Sequence, residues 1–359
     1  MAHEDLLAVW QKELMTCTLC GYCKNVCPTF LDVGWDSESA RARNLLAYGL
    51  LTGEIGVDES VAAALFDCTQ CGDCTRRCPS DVRTREIVQA ARAVLVREHL
   101  DPAAAGIMSE GVCRTGNIFG DETVVTPSAT GTAFVFIGCQ FLSRPNQTKK
   151  FLKLLERIGV NPLTGEETCC GFPLAVLGYR EQFAAQRERL RRLVGDRDQV
   201  ITFCPTCNAF LKEEYGLPVK HITQIVAERL DGLTFKPLNV VAAYHDPCDL
   251  ARGSGVVKEP RAIMRAIGVE LRELPCNGEQ TRCCGGGGGL LMSNPELSDR
   301  LAVSRVKQAL ATGAELLITS CATCEQTLKR GAQLAAGQGL GTISVRQLPD
   351  LVWKALDRQ

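Results

Sequence analysis

Eight cysteines in the N-terminal third of the chain have the spacing of metal ligands. They form two runs of the pattern Cys-x-x-Cys-x-x-Cys-x-x-x-Cys-Pro, namely Cys17, Cys20, Cys23 and Cys27, then Cys68, Cys71, Cys74 and Cys78. Three thiolates in one tight loop cap three irons of a cubic [4Fe–4S] cluster, while the fourth cysteine leaves the loop. Zinc prefers four ligands in paired knuckles, so the third close cysteine argues against a zinc site. The two runs indicate iron–sulfur redox chemistry.

The fourth cysteine of each run is expected to serve the cluster of the other run. Proteins with two clusters of the bacterial type show this exchange together with the same spacing. One cubane cluster would take Cys17, Cys20, Cys23 and Cys78. The other would take Cys68, Cys71, Cys74 and Cys27. The sequence therefore predicts two sites that form only when both runs fold together.

Ten later cysteines fall into two sets of five. Each set has a single cysteine, then an adjacent pair, then Cys-x-x-Cys: Cys139, Cys169, Cys170, Cys204 and Cys207, followed by Cys248, Cys283, Cys284, Cys321 and Cys324. Five thiolates are one too many for zinc or for an ordinary cubane cluster, and adjacent cysteines cannot easily bind separate corners of a cube. A split cluster with a bridging thiolate would use all five. From the residues alone, these are two equivalent sites with an excess of soft ligands.

The elements that must position these later cysteines also occur twice. In the first copy, strands Ala133–Gly138 and Val200–Phe203 lead to cysteines, and helices Gln147–Ile158 and Glu181–Leu193 alternate with them. The second copy has the corresponding strands and helices: Val240–Tyr244, Pro260–Ile267, Pro295–Leu310 and Leu316–Thr319. Alternating strands and helices predict parallel α/β units, in which ligands sit at the carboxyl ends of strands.

The composition excludes several classes of protein. The chain has 359 residues, 20 of them cysteine, and a formal net charge of −1, so it lacks the positive charge of a nucleic-acid binder. No apolar run approaches the ~20 residues that span a bilayer. The start, MAHEDLLAVWQKELM, lacks the basic and apolar parts of a signal peptide, which predicts a cytoplasmic protein. Free thiols in that reducing compartment favour ligation over a disulfide framework.

These observations predict a fold of mixed class, α+β with α/β. A helical domain for the two cubane clusters would cover residues 1–105, ending on a helix over Arg85–His99. Residues 106–132, rich in Gly, Ser and Thr, would form a linker or surface loop. Two pseudo-symmetric α/β cysteine-rich domains would follow at 133–235 and 236–359.

The chain resembles the D subunit of heterodisulfide reductase, which is equivalent to a fusion of the C and B subunits. The resemblance covers nearly the whole chain and rests on CTLCGYCKNVCP, CTQCGDCTRRCP, Cys139…CCGFP…CPTC and HDPC…CCGGGGG…CATC. It implies that each five-cysteine set holds a noncubane [4Fe–4S] cluster. It also implies that a disulfide, such as that between coenzyme M and coenzyme B, is cleaved between these clusters. The two cubane clusters would supply the electrons.

The resemblance leaves an alternative function open. Iron–sulfur subunits of glycolate, lactate and glycerol-3-phosphate oxidising enzymes are similar in the ferredoxin part, and such a subunit would relay electrons from a flavin dehydrogenase to a quinone or cytochrome. Their later cysteine sets are often less complete, so the two complete sets favour the disulfide-reducing branch. The chain has no flavin or nicotinamide fingerprint. We therefore expect a partner, either a flavin-containing electron-donor subunit or a membrane cytochrome-like subunit, through which the chain could associate with a membrane.

Several other residues are weaker candidates for a role at the cluster or substrate sites. Gly285, Gly286 and Gly287 directly follow Cys284, so we expect their backbone to approach a cluster and donate N–H groups to it; a flexible linker is the alternative. His245 is a candidate donor or proton source near Cys248, and a packing role is equally plausible. Two cysteines are left over once the four sets are filled, Cys113 and Cys276. Three cations near the first five-cysteine set could meet an anionic substrate: Arg144, Lys149 and Lys150. The arginines in and just before the helix at the end of the first domain are expected on its solvated face: Arg83, Arg85, Arg92 and Arg97.

Overall fold

The computed structural model describes residues 4–123 and 126–356. Its chain divides into two compact units. The first contains the chain up to Glu110, with two later segments, Gly171–Ala185 and Arg282–Leu301. The second contains Gly111–Cys170, Gln186–Thr281 and the chain from Ala302 onward. Each later segment of the first unit follows or includes one adjacent cysteine pair.

The first unit is helical, as expected. Its longest early helices, Ala40–Thr52 and Thr84–Arg97, pack on each other, and both contain fully buried residues such as Leu50 and Val94. Ser39 caps the first of them by accepting the N–H of Ala42. The other α-helices that lie wholly in this unit are shorter: Glu4–Leu7, Gln11–Thr16, Pro28–Val33, Glu59–Phe66, Asp73–Arg77, Phe172–Leu177 and Leu290–Ser293.

The helix predicted over Arg85–His99 is confirmed with slightly different ends, but the interpretation of its arginines as a solvated face is wrong for Arg92. That side chain is 0% exposed. Its guanidinium is satisfied by main-chain carbonyl oxygens, so it can be buried without a water shell. The residue type alone marks Arg92 as polar and gives no sign of these acceptors.

The second unit contains two four-stranded parallel sheets. The first sheet has strands β1 (Ala133–Phe136), β2 (Pro162–Leu163), β3 (Val200–Thr202) and β4 (Val219–His221), in the order β2-β1-β3-β4. The second has β5 (Val240–His245), β6 (Val269–Glu273), β7 (Leu316–Thr319) and β8 (Ser344–Gln347), in the order β6-β5-β7-β8. The identical order confirms the predicted duplication.

Helices connect these strands. Those within the second unit are Cys139–Leu142, Pro145–Arg157, Pro205–Tyr215, Ile222–Ala227, Lys258–Ala266, Ala322–Gly337 and Leu348–Ala355. Three more include a boundary between the units: Ala103–Thr115, Arg180–Val194 and Pro295–Ala311. The four predicted strands are present, and they are the central ones, where continuous apolar runs are buried on both faces. Sequence reasoning missed the outer strands, such as β8, whose residues alternate between exposed and buried.

The region expected to be a linker is partly helical. Helix Ala103–Thr115 covers its first ten residues, and the strands of the first cysteine-rich copy begin only at Ala133. The division into domains at residues 105, 132 and 235 stays a prediction. Among the described residues, no helix is both long and apolar enough to cross a membrane.

Candidate iron–sulfur centres

Four cysteines from both N-terminal runs line one small cavity in the first unit. They are Cys27, Cys68, Cys71 and Cys74, and they form the set expected if the fourth cysteine of the first run serves the second cluster. Cys27 reaches this place because Pro28 begins a helix directly after it, which turns the chain out of the first loop. The cavity places four soft ligands around one volume, as a [4Fe–4S] cluster requires.

The sulfurs of this set receive hydrogen bonds from nearby N–H groups. Arg43 Nη1 lies 3.7 Å from the Cys27 sulfur, and the backbone N–H of Gln70 donates to the Cys68 sulfur over 3.4 Å. Burial raises the pKa of the Cys74 thiol well above its usual value, and the neighbouring Cys71 and Cys68 raise it further by like-charge repulsion. A bound cation would reverse this effect, because thiols that coordinate a metal are deprotonated. The donors and the crowded thiols both fit an iron–sulfur cluster.

The cysteines of the other N-terminal set lie closer to the surface. Cys20 is exposed, and Cys17, Cys23 and Cys78 are half-buried. Burial raises the pKa of the Cys23 thiol to about 11, with a further contribution from the charge of Cys17. Asn44 Nδ2 lies 3.8 Å from the Cys17 sulfur. This set is the more accessible of the two in the first unit.

The first five-cysteine set converges at the carboxyl edge of the first sheet. Strands β1 and β3 pair in parallel at Phe136 and Thr202, so Cys139 and Cys204 follow at the same edge. Cys204 is the N-cap of helix Pro205–Tyr215, which puts Cys207 in the first turn. The positive end of that helix stabilises negative charge on both sulfurs. All five cysteines of the set are buried.

Thiol–thiol hydrogen bonds link the five sulfurs in two groups, a pair and a trio. The thiols of Cys139 and Cys169 are hydrogen-bonded, and this contact, together with burial, raises the pKa of Cys139. Cys207 bonds to both Cys170 and Cys204, which raises the pKa of Cys207 and lowers that of Cys204. The structure thus brings the complete predicted set together, with more thiols than a single cubane cluster needs.

Several residues that support this set were missed by sequence reasoning. Two lie in the segment that was expected to be a linker: the N–H of Ile118 donates to the Cys139 sulfur, and the carbonyl of Gly116 accepts the N–H of Cys169 over 2.6 Å. Tyr215 Oη donates to the carbonyl of Cys170 over 2.9 Å. The Cys-x-x-Cys spacing carries no signal for these partners, because they are distant in sequence.

A buried carboxylate positions the loop before Cys139. Glu167 accepts the N–H groups of Ile137 and Gly138 over 2.8 and 3.1 Å. Burial raises the pKa of Glu167 to about 8, and these two hydrogen bonds partly oppose that shift. Gly138 has a positive φ of 74°, and a Cβ there would lie 3.1 Å from the Cys207 sulfur. Glycine at 138 therefore allows the backbone to approach the sulfurs closely.

Three cysteines of the second set lie beyond the strands of the second sheet. Cys248 begins a π-helical turn, Asp249–Gly253, three residues after β5, and Cys321 is the N-cap of helix Ala322–Gly337. The N–H of Cys324 donates to the Cys321 sulfur over 3.5 Å. This arrangement repeats that of Cys204 and Cys207 in the first copy.

The adjacent pair of the second set, Cys283 and Cys284, lies in the segment Arg282–Leu301 of the first unit. Both are buried, and the backbone N–H groups of Gly285 and Gly286 donate to their sulfurs over 3.4 Å each. Two of the three glycines predicted to bind the cofactor therefore donate N–H groups to candidate ligands. The third, Gly287, packs against the carbonyl of Thr69.

His245 is buried at the end of β5. Its Nδ1 accepts a hydrogen bond of 3.2 Å from Arg305 Nε, and a ring nitrogen lies within 4.8 Å of the Cys324 sulfur. Burial and the charge of Arg305 lower the pKa of His245 to about 3, so the ring is neutral. With Nδ1 as acceptor, the proton of the neutral ring is on Nε2.

The two cysteines outside the four sets and the three cations predicted near the first set have no contact with a candidate cluster ligand in the described hydrogen bonds and ion pairs. Cys113 is exposed on helix Ala103–Thr115, and Cys276 is half-buried, with its carbonyl accepting from Arg305. Arg144 and Lys150 line a groove of about 920 Å³ in the second unit, where they pair with Glu325 and Asp350. No described contact involves Lys149.

Comparison with known proteins agrees with these sites. Residues 13–82 match the family described as the 4Fe-4S dicluster domain, and residues 133–212 and 242–329 match the cysteine-rich domain, CCG. These matches cover all eighteen cysteines of the candidate cluster sites. The chain thus matches one dicluster domain and two CCG domains, in line with its similarity to the D subunit of heterodisulfide reductase.

Relatives cover almost the whole chain. The chain is 29% identical to the D subunit of the dihydromethanophenazine:CoB–CoM heterodisulfide reductase of Methanosarcina barkeri, over 98% of this chain and 96% of that one. It is 29% identical to the B subunit of the fumarate reductase (CoM/CoB) of Methanothermobacter marburgensis, over 95% of this chain and 72% of that one. It is 26% identical to the EtfAB:quinone oxidoreductase of Syntrophomonas wolfei, over 96% of this chain and 58% of that one.

Among solved structures, the chain is similar to a hypothetical protein from Helicobacter pylori. The TM-score is 0.55 at 11% identity, covering 89% of this chain and 68% of the other. At that identity the similarity concerns the fold alone.

Proposed function

We propose that the chain is the catalytic subunit of a disulfide-reducing complex, with a small-molecule disulfide as substrate. The observation that carries this proposal is the convergence of five buried cysteines in the first set, each of which has its thiol in contact with at least one other thiol of the set. A subunit that only relays electrons needs four ligands per cluster, so a fifth buried thiol at the same place supports a specialised site. Similarity to the D subunit of heterodisulfide reductase agrees with this function.

The proposed ligands follow the sites described above. Two cubane clusters would be held by the crossed N-terminal sets: Cys17, Cys20, Cys23 and Cys78, and Cys27, Cys68, Cys71 and Cys74. Two noncubane clusters would be held by the five-cysteine sets. When bound, these groups supply one-electron reduction and iron sites that accept sulfur. The assignment of Cys283 and Cys284 to the second set rests on the duplication, because they correspond to Cys169 and Cys170 of the first.

The overall reaction consumes two electrons and two protons. The sulfur–sulfur bond of the substrate breaks, each sulfur gains one electron and one proton, and two thiols form. Two equivalent sites suit this balance, because each can receive one of the two sulfurs. Holding both sulfurs at once also makes the cleavage effectively intramolecular. The two copies of the same sheet order supply such a pair of sites.

We propose that His245 donates a hydrogen bond to sulfur at the second site. Its Nε2 is buried and has no hydrogen-bond partner within the residues that the structure describes. The hydrogen bond from Arg305 to Nδ1 keeps the proton on Nε2 and holds the ring in place. An unsatisfied buried donor is costly, so a substrate or cluster sulfur is a suitable acceptor.

Electrons would come from a partner and enter at the set of Cys17, Cys20, Cys23 and Cys78. Cys20 is exposed there, whereas Cys27 and Cys71 of the other set are buried. A donor protein can approach an exposed ligand closely, and electron transfer is faster over shorter distances. The partner would be a flavin-containing subunit or a membrane cytochrome-like subunit, and the chain itself would be cytoplasmic.

A second function is favoured by one relative. Similarity to an EtfAB:quinone oxidoreductase supports a relay subunit that passes electrons from a flavoprotein toward a quinone. In that case the later cysteine sets would serve electron transfer without a disulfide substrate.

The deciding experiment disables each five-cysteine set in turn. We would change Cys170→Ala in one variant and Cys284→Ala in another, with the exposed Cys113→Ala as the matched control. Disulfide reduction is assayed with a reduced viologen, and the spectra of the N-terminal clusters are checked first. Paired sites predict that either change abolishes turnover, while Cys113→Ala leaves it intact. Near-full activity in either of the first two variants would favour the relay function.

A further inference from the structure

Arg92 connects three separate segments of the first unit. Its guanidinium donates five hydrogen bonds to main-chain oxygens, those of Leu65 (2.9 Å), Phe66 (3.0 Å), Cys68 (2.8 Å), Val176 (2.8 Å) and Gly288 (2.7 Å). The side chain is completely buried, so these oxygens replace the water that an arginine would otherwise hold. An arginine that uses all its donors on backbone fixes the positions of those backbones.

The three segments all carry or follow proposed cluster ligands. Cys68 is the first cysteine of the second N-terminal run. Val176 lies on the helix that follows Cys170, and Gly288 lies in the glycine segment that follows Cys284. A single nitrogen, Nη1, bonds to both Val176 and Gly288 and so joins corresponding segments of the two copies.

The glycine segment also touches the loop of Cys68 directly. A Cβ at Gly288 would lie 2.5 Å from the carbonyl oxygen of Cys68, and one at Gly287 would lie 2.9 Å from that of Thr69. Both distances are too short for any side chain. Glycine is needed here because two backbones meet, one leading from Cys284 and the other from Cys68.

We propose that Arg92 is a positioning residue that holds the Cys283–Cys284 pair in a defined place relative to the loop of Cys68, Cys71 and Cys74. It does so by locking the glycine segment onto that loop. The proposal depends on the cluster assignments given above, and it does not depend on which substrate is reduced. It assigns a positioning role to a residue that lies outside both cysteine patterns.

The chain offers a close control in Arg43. This arginine is also buried and adjoins the same cluster site, where it contacts the Cys27 sulfur. Its other bonds go to Thr29, Glu38 and Ala64, which belong to the N-terminal part of the unit. Arg43 therefore shares the burial and the cluster of Arg92 but has no described bond to Val176 or Gly288.

The test compares Arg92→Lys with Arg43→Lys in the anaerobically purified protein. Lysine keeps the charge but has three donors in place of the guanidinium's five. The readouts are the electron paramagnetic resonance signals and midpoint potentials of the clusters, assigned with Cys27→Ser and Cys284→Ala, and the rate of bleaching by an iron chelator. Arg92→Lys should shift the signals of both the Cys68 cluster and the Cys284 cluster and speed bleaching of both by ~10-fold. Arg43→Lys should affect only the Cys68 cluster.

Two results would overturn the proposal. One is an Arg92→Lys protein that melts at a lower temperature while all cluster signals and potentials stay unchanged, since that is a purely structural role. The other is an identical pattern of change in the two lysine variants. Loss of disulfide reduction does not enter into either result, so failure of the proposed function is detected separately.

A glycine pair decides the question if the arginine variants do not fold. Gly288→Ala introduces the clash with the Cys68 oxygen at φ +64°, whereas Gly53→Ala places a Cβ at φ +76° with nothing within 4 Å. Both variants carry the backbone strain of a positive φ, so the contact distinguishes them. A shift of the Cys284 signal in Gly288→Ala alone supports the proposal, and equal signals in the two variants contradict it.

Discussion

His221 provides a prediction whose size follows from the structure. The side chain is 0% exposed, and it links the segment before Cys204 to helix Ile222–Ala227. Its Nε2 donates to the carbonyl of Phe203 over 3.0 Å, and its Nδ1 accepts the N–H of Thr223 as a helix cap. Protonation would place a hydrogen on Nδ1 and remove that acceptor. Burial lowers the pKa of His221 to about 4, although the bond to Phe203 slightly opposes the shift.

The lowered pKa of His221 determines whether the protein gains or loses stability as the pH falls. A histidine with a lowered pKa in the folded protein contributes stability above its unfolded pKa of 6.5, and this stability is lost as the pH falls toward 4. Each pH unit within this window costs about 1.4 kcal/mol. Between pH 7 and pH 5 the free energy of unfolding should therefore fall by roughly 2 kcal/mol on account of His221 alone.

The assay compares wild type with His221→Gln. Glutamine is neutral at both pH values, so the variant lacks the titration, while contributions from His245 and the carboxylates are common to both proteins. Anaerobic urea unfolding at pH 7 and pH 5 should show a larger fall in midpoint for wild type, by roughly 0.5 M if the slope is near 4 kcal/mol/M. Equal falls in the two proteins would refute the reasoning, because His221 would then titrate alike in the folded and unfolded states.

Three further predictions concern the metal sites. Anaerobically purified protein should contain about sixteen irons per chain with matching acid-labile sulfide, and about half that amount with a single spectral species would mean that the later sets are empty. Cys27→Ser should disturb the cluster built on Cys68, Cys71 and Cys74, so loss of the signal from the Cys17 run instead would refute the crossed ligands. Gly138→Ala should slow cluster assembly in the first five-cysteine set, since its Cβ crowds the Cys207 sulfur; iron content equal to that of Gly53→Ala would contradict this.

The candidate cluster ligands could be predicted from the sequence because their spacing is a local property. Four cysteines within twelve residues can converge on one cluster whatever the rest of the fold does, so spacing alone predicts an iron–sulfur site. The duplication was equally visible, since central strands buried on both faces, such as β3 and β7, read as continuous apolar runs. The edge strands were not visible, because their half-exposed residues carry a weak pattern.

The contacts that support the ligands were decided by tertiary structure. Arg92 looks like any arginine on an amphipathic helix, and its burial depends on carbonyl groups more than eighty residues away, such as that of Val176. Ile118 lies in a stretch whose composition indicates a loop, yet its N–H reaches the Cys139 sulfur. The amino-acid sequence does not show which backbone donors and acceptors form these contacts, because every residue except proline carries both. Sequence therefore predicted the candidate iron ligands, and only the fold determined which backbones and buried charges surround them.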